Sequence, residues 1–447
     1  MQYYSTNGKA PIADLHKAVV KGLAEDRGLY MPESIKPLPK AFFDTIETKT
    51  FQEIAYTVAD AFFGEDVDAE SLKKIVYDTL SFDCPVVKVT DNIYTLELFH
   101  GPTLAFKDVG ARFMARLLQY FIRQENKGEQ VNVLVATSGD TGSAVANGFL
   151  GVDGIHVYVL YPKGKVSPIQ ECQFTSLGKN ITAIEVDGVF DDCQALVKNA
   201  FMDAELNQHM KLTSANSINV ARFLPQAFYY FNAYARMKSL TSHLSPLTSN
   251  LVMCVPSGNF GNICSALFGH QQGLPVKRFI AANNANDIFY KYLQSGKYEP
   301  RASVQTLANA MDVGDPSNFA RILNLYSQNG ALSPEDTHAA ITSLISGATY
   351  SDDQIRKTMR QCYQETGYIL DPHGACGYQA LVDGLKPGEV GVFCETAHPA
   401  KFKEKVDDIL GIDVESPDRL AAFMKGQKQS VPMTKDFADF KQYLLKQ

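Results

Sequence analysis

Several common signatures are missing from this chain, and each absence narrows what it can be. There is no basic excess: 42 Lys and Arg against 49 Asp and Glu give a formal net charge of −7. That balance argues against a nucleic-acid footprint. No apolar run approaches the roughly 18 residues that mark a membrane-spanning helix. The chain opens on Met1-Gln2-Tyr3-Tyr4-Ser5 rather than on a basic and then apolar segment, so no secretory leader is expected. Its 8 cysteines are scattered, with no Cys-x-x-Cys, and no His-Glu-x-x-His occurs among the 9 histidines. A reduced, cytoplasmic protein without a metal site is the expectation. Neither a Walker loop nor the G-x-G-x-x-G dinucleotide fingerprint is present, and no repeat or low-complexity segment interrupts the text.

What is present is enough apolar material for a large core: 447 residues, 45% hydrophobic. From about residue 130, short apolar runs alternate with helical patterns. Runs 131–135, 156–161, 181–186, 251–255, 278–282 and 390–394 read as buried strands. Continuous rather than alternating hydrophobicity indicates parallel strands covered on both faces, an α/β architecture of open, mostly parallel sheets flanked by helices. Residues 1–85 read as a mostly helical N-terminal domain. A first lobe is expected over 86–245 and a second over 246–447, the latter with a helical insertion at about 300–375. Ser333-Pro334 is a plausible helix start within that insertion.

The most telling stretch is His100-Gly101-Pro102-Thr103-Leu104-Ala105-Phe106-Lys107-Asp108. A rigid turn delivers one lysine to the start of an amphipathic run in which Phe113, Met114, Leu117, Leu118, Phe121 and Ile122 share a face. A lysine clamped among apolar groups loses proton affinity and becomes a usable nucleophile. By itself, a helix-start lysine is more often a solvated surface residue. Two other loops change that balance. Ala136-Thr137-Ser138-Gly139-Asp140-Thr141-Gly142 follows a strand and opens a helix, an arrangement that aims N–H groups at a carboxylate or phosphate. Pro256-Ser257-Gly258-Asn259-Phe260-Gly261-Asn262 repeats the order, with two glycines allowing close backbone approach and asparagines that tolerate left-handed dihedrals. Each loop alone is ordinary turn chemistry. A reactive lysine, a phosphate cup and a second anion loop together suggest an aldehyde cofactor with a phosphate tail, pyridoxal 5′-phosphate.

Two further segments carry charge toward the same strand ends. Lys163 and Lys165 precede Ser167-Pro168-Ile169-Gln170, which reads as a capping box with proline at the first helical position. Asn216 and Arg222 lie in Ser214-Ala215-Asn216-Ser217-Ile218-Asn219-Val220-Ala221-Arg222, where Arg222 would supply a planar fork for phosphate. Solvated lysines and a capped helix with a structural ion pair are the plainer alternatives. Asp108 is read as a helix cap, and His100 and His398 as hydrogen-bonding residues rather than bases.

The motifs at His100–Asp108, Ser138–Gly142, Ser257–Asn262 and Glu395-Thr396-Ala397-His398-Pro399-Ala400-Lys401-Phe402 resemble those of the threonine synthase family. Gly22-Leu23-Ala24 and Gly28-Leu29-Tyr30-Met31-Pro32 resemble its N-terminal segment, so the likeness spans nearly the whole chain. The resemblance implies the tryptophan-synthase-β-like fold, fold type II of the pyridoxal phosphate enzymes, in the form shared by many bacteria and fungi. It implies that Lys107 is the Schiff-base lysine and that Gly258, Asn259, Phe260, Gly261 and Asn262 hold the cofactor phosphate. Thr396 would bond the pyridine nitrogen. Ser138, Gly139, Asp140 and Thr141 would face the cofactor hydroxyl and the substrate carboxylate. It further implies conversion of O-phospho-L-homoserine and water to L-threonine and phosphate, with Lys163, Lys165, Asn216 and Arg222 as candidates for the substrate phosphate. One departure stands out: Arg27 occupies a position before Gly28 where a small residue is expected. A serine/threonine dehydratase on the same scaffold, or a catalytically silent relative, are the alternatives. The sequence leaves monomer and homodimer equally open.

Overall fold

The structure is a computed structural model, and it describes residues 1–125, 128–241 and 250–447. The 245/246 division between the expected lobes lies outside the described residues. In chain order the strands are β1 (Gln2–Ser5), β2 (Ala13–Asp14), β3 (Tyr30–Pro32), β4 (Val86–Lys88), β5 (Ile93–Glu97), β6 (Val131–Ala136) and β7 (Ile155–Pro162). They continue with β8 (Ile181–Val186), β9 (Lys211–Ser214), β10 (Leu251–Pro256), β11 (Arg278–Asn283), β12 (Ile345–Thr349), β13 (Val390–Glu395) and β14 (Val431–Met433).

Two sheets carry the fold. The five-stranded sheet runs β14-β8-β7-β6-β9 and the six-stranded sheet runs β12-β11-β10-β13-β5-β4. Every pairing in them is parallel except that of β4 with β5. All the expected strands form, each within a residue or so of its apolar run. Every residue of β6, β10 and β13 is buried, as strands covered on both faces require.

The lobes are not the contiguous blocks read from the sequence. β4 and β5, from the start of the first block, complete the six-stranded sheet, and β14, from the end of the chain, pairs with β8. The segment expected as a helical insertion contributes β12 as the edge strand beside β11, in addition to helices Phe319–Tyr326, Pro334–Leu344 and Asp352–Thr366. Its Ile-Ser-Gly-Ala-Thr composition is too polar to read as a buried strand, and pairing on one side only suffices for an edge. The N-terminal segment holds the expected helices, including Phe51–Phe63 and Ala69–Thr79, but also a small antiparallel sheet, β2-β1-β3. Arg27 sits there with φ of 66°, a left-handed conformation that explains why a small residue was expected.

Candidate active site

The loops named from the sequence leave the C-terminal ends of β6, β9, β10 and β13, where open parallel sheets place their ligands. Lys107 begins the helix Lys107–Glu125. The turn before it is stitched to the loop after β13: the Phe106 N–H donates to the Thr396 carbonyl at 2.8 Å, and the His398 N–H to the Leu104 carbonyl at 3.0 Å. Leu104 adopts φ of 60° to make that turn. Asp108 does not cap the helix. It accepts from the Thr103 N–H at 2.9 Å and the Thr103 hydroxyl at 2.6 Å, locking the turn from inside. The Tyr229 hydroxyl donates to the Phe106 carbonyl.

Lys107 keeps partial solvent access, with its Nζ 5.8 Å from the Phe106 ring centroid. Burial pushes its pKa down to about 8; Asp140 opposes the fall, and Arg222 and Lys401 reinforce it. Relative to the ordinary value of 10.5, the neutral amine is roughly 300-fold more abundant at pH 7. Asp140 is buried and ion-paired with Lys401 at 2.6 Å, and it accepts from the Gln170 Nε2 at 3.0 Å. Burial would raise its carboxyl, yet Lys401 and Lys107 hold it below the usual range. Gln170 therefore does not close a capping box. Ser167 does cap the helix, accepting from the Gln170 N–H, while the Gln170 side chain turns inward to Asp140.

The Ser138–Thr141 loop is shaped by Thr137, whose hydroxyl accepts from the Gly139 N–H at 2.9 Å and the Gly142 N–H at 2.8 Å. Gly139 has φ of 147°, and a Cβ there would lie 2.6 Å from the Gln170 side chain. Among the described residues, the N–H groups of Ser138, Asp140 and Thr141 have no protein partner. They open the helix Asp140–Phe149.

The Gly258–Asn262 loop works through its backbone. The N–H groups of these five residues have no partner among the described residues, and the helix Gly261–Gln271 starts there. The asparagines are spent internally. Asn262 accepts from the Ser257 hydroxyl at 3.1 Å and donates to the Pro256 carbonyl at 2.7 Å. Asn259 donates to the Ser217 hydroxyl at 2.8 Å and accepts from the Ser317 N–H at 2.7 Å. Phe260, not an asparagine, takes the left-handed conformation, with φ of 65°. Its ring packs on Phe289 at 4.7 Å, which holds a bulky residue there. Gly258 approaches other backbone so closely that a Cβ would lie 2.6 Å from the Met311 Cα.

Thr396 is buried and its hydroxyl has no protein partner among the described residues. Glu395 beside it is wholly buried, accepts from the Asp371 N–H at 2.6 Å, and is pushed far up by burial and by the Asp371 carboxylate. Arg222 is buried, donates to the Ala215 carbonyl, and has no ion pair; the expected structural pair is absent among the described residues. Burial lowers its pKa to about 10. Asn216 is half-buried in the same loop. Lys163 and Lys165 are exposed in the loop after β7. His398 accepts from the Ala400 N–H at 3.0 Å, and burial takes its pKa to about 4.

Several site residues had no reading from the sequence. Lys401 lies within a quoted motif, but nothing in its neighbours announced a buried cation. Gln170 looked like a cap. Asn318 and Arg321 sit in polar helical text: Asn318 donates to the Asn259 carbonyl at 3.2 Å, and Arg321 donates to the Asn318 side chain at 2.7 Å.

A lowered lysine, two helix starts with unsatisfied N–H groups and a glycine pressed against backbone are features that a pyridoxal-phosphate site on an open α/β scaffold calls for. The whole-chain comparisons agree. Residues 84–394 match the model of the pyridoxal-phosphate dependent enzymes, residues 2–80 that of the threonine synthase N terminus, and residues 374–444 that of the threonine synthase C-terminal region. The threonine synthase of Serratia marcescens is 43% identical over 446 residues, covering 100% of this chain and 99% of that one. The crystal structure of threonine synthase from Escherichia coli matches with a TM-score of 0.89 at 41% identity, covering 100% of both chains. The pyridoxal-phosphate-bound threonine synthase structure from Brucella melitensis matches with a TM-score of 0.93 at 35% identity, covering 100% of this chain and 99% of that one. The chain belongs to the threonine synthase family, and its cofactor is pyridoxal 5′-phosphate.

Proposed function

We propose that this protein converts O-phospho-L-homoserine and water to L-threonine and phosphate, acting in the cytoplasm. The observation that carries the reading is the setting of Lys107: an amine of pKa about 8 at a helix start, beside Asp140, Lys401 and Arg222. Seven of the eight cysteines are buried and all are free, in keeping with a reducing compartment.

The Gly258–Asn262 N–H groups would hold the cofactor phosphate, and the Thr396 hydroxyl would meet the ring nitrogen. A neutral hydroxyl there does not force protonation of the ring. Asp140 would face the cofactor's phenolic hydroxyl. When bound, the cofactor supplies an aldehyde that condenses with an amine and a conjugated ring that takes up electrons. Lys107 Nζ, displaced by the substrate amine, removes the α proton and returns one at the γ carbon. Ser138, Gly139 and Thr141 would bind the substrate carboxylate through their loop. Among the candidates for the substrate phosphate, the buried cation of Arg222 and the half-buried Asn216 share one loop, which favours them over the exposed Lys163 and Lys165. In the net reaction the γ C–O bond breaks, and water adds its oxygen at the β carbon.

The test is to incubate purified protein with O-phospho-L-homoserine and quantify threonine and phosphate together. Equimolar appearance is the expected result. Phosphate accompanied by a keto acid without threonine would overturn it in favour of a lyase that eliminates phosphate without β hydration.

A further inference from the structure

A second lysine stands inside the site without a role in the chemistry above. Lys401 is 1% exposed, on the short turn Pro399–Phe402 that follows the Thr396 loop. Its Nζ makes the 2.6 Å ion pair with Asp140 and donates to the Thr103 carbonyl at 2.9 Å. It thus bridges the helix start after β6 and the turn that delivers Lys107. Gln173 Nε2 grips the same Thr103 carbonyl at 3.2 Å, and Gln170 the same Asp140 oxygen. Burying an ion pair this completely is costly unless the geometry is well satisfied, and a hydrophobic pair would often stabilise as well. The pair therefore calls for a reason beyond packing.

We infer that Lys401 is a positioning residue: its ion pair with Asp140 and its bond to the Thr103 carbonyl keep that carboxylate from holding the Lys107 ammonium. The inference rests on Lys107 being the aldehyde-binding lysine. Without Lys401, the Asp140 carboxylate has one cation left to face, Lys107, and the repulsion from Lys401 also vanishes. Both changes favour the Lys107 ammonium. The other titratable groups that act on Lys107 or on the pair are Arg222 from the helix after β9, Asp108 from the Lys107 helix, Cys172 from the helix Pro168–Thr175, and His398 just before the turn of Lys401. Arg222 repels Lys107 in every variant considered below, so it does not alter the comparison.

The pair supplies a test that packing damage does not mimic. Lys401→Met should raise the pH at which Lys107 becomes reactive, and Asp140→Asn should lower it. Full-length protein freed of cofactor is labelled with trace dinitrofluorobenzene across pH 6 to 11, and labelling at Lys107 is read by peptide mass spectrometry. The wild-type midpoint is expected near pH 8. Lys401→Met should move it to about 9 or above, and Asp140→Asn to about 7 or below, the size that a neighbouring charge imparts. The double variant should return it close to wild type. Midpoints that stay put, or that move the same way in both single variants, overturn the inference. If one variant does not fold, the direction in the other decides. A parallel arm treats wild-type protein with pyridoxal 5′-phosphate and borohydride. Absence of the reduced adduct at Lys107 would defeat the lysine assignment itself, independently of the midpoints.

Discussion

Gly258→Ala is the sharpest test of the phosphate cup. A Cβ at that position would lie 2.6 Å from the Met311 Cα and 3.0 Å from the Ala310 carbonyl oxygen. Ordinary contact begins near 3.5 Å, so the loop and its floor must part by about 1 Å. The floor cannot yield cheaply, because both clashing atoms are backbone and both residues are tied down. The Ala310 N–H donates to His373 Nε2 at 3.1 Å, and the Met311 N–H to the Ala308 carbonyl at 3.0 Å. His373 in turn is fixed by Asp371 at 2.5 Å. The loop carrying the N–H groups of residues 258–262 moves instead. A shift of about 1 Å takes hydrogen bonds of ~2.9 Å beyond useful length. Losing one charge-assisted bond costs about 1.5–3 kcal/mol, which weakens cofactor binding by roughly 10- to 100-fold.

The assay is a pyridoxal 5′-phosphate titration of cofactor-free protein, followed by absorbance, alongside a denaturant midpoint. Gly261→Ala is the matched control. A Cβ there would have the Ser217 Cβ at 3.3 Å, the Asn318 side-chain nitrogen at 3.4 Å and the Ser217 carbonyl oxygen at 3.7 Å as its nearest neighbours, a tight fit without the hard backbone clash met at Gly258. It should alter Kd by less than about threefold, under ~0.7 kcal/mol. Equal losses in the two variants, or an unchanged Kd in Gly258→Ala, would refute the reasoning.

Other outcomes follow from the same geometry. Lys107→Ala should abolish threonine formation while leaving the denaturant midpoint nearly unchanged; an active variant would sink the lysine's assignment. The rate of cofactor capture by cofactor-free protein should fall about tenfold per pH unit below about 8 and level off above it, because only the neutral amine attacks and protonation removes it as pH drops. Stopped-flow absorbance across pH 6 to 9.5 checks this, and a flat profile contradicts it. Arg321→Met should cost about 3 kcal/mol or more in urea unfolding, since the carbonyls of buried Tyr30 and half-buried Ile218 lose their donor.

Most of the scaffold was legible because buried parallel strands are written as unbroken apolar runs and their loops as glycine and hydroxyl residues. β6, β7, β8, β10, β11 and β13 follow from that rule alone. β9, a strand of Lys-Leu-Thr-Ser, and the edge strand β12 were not legible, since tertiary pairing overrides their composition. Which sheet a strand joins is also unreadable locally: β5 lies 34 residues before β6 but pairs with β13. In the site, the backbone loops announced themselves through glycine. The side chains that hold them did not, because Lys401, Asn318 and Arg321 acquire their meaning only from partners far along the chain. Asn259 and Asn262 illustrate the converse. Their type suggested ligands, and their hydrogen bonds make them struts.

Similar struts tie a segment without evident chemistry to the candidate site. The loop bearing Asn216 and Arg222 is gripped from both sides. On one side, Asn219 Nδ2 donates to the Val19 carbonyl at 2.8 Å, and Gly22 lies so close that a Cβ would stand 3.1 Å from that amide. On the other, Arg321 donates to the Ile218 carbonyl and to the β3 carbonyl of Tyr30, with its guanidinium 4.1 Å from the Phe223 ring centroid. Arg321 also orients Asn318, which holds the Asn259 carbonyl of the phosphate cup. An arginine bonded to carbonyls from two distant segments fixes their relative positions more tightly than apolar contact does, because its fork has a set geometry. A shift of the N-terminal sheet relative to the large sheets therefore displaces the proposed substrate-phosphate loop and the cofactor cup together.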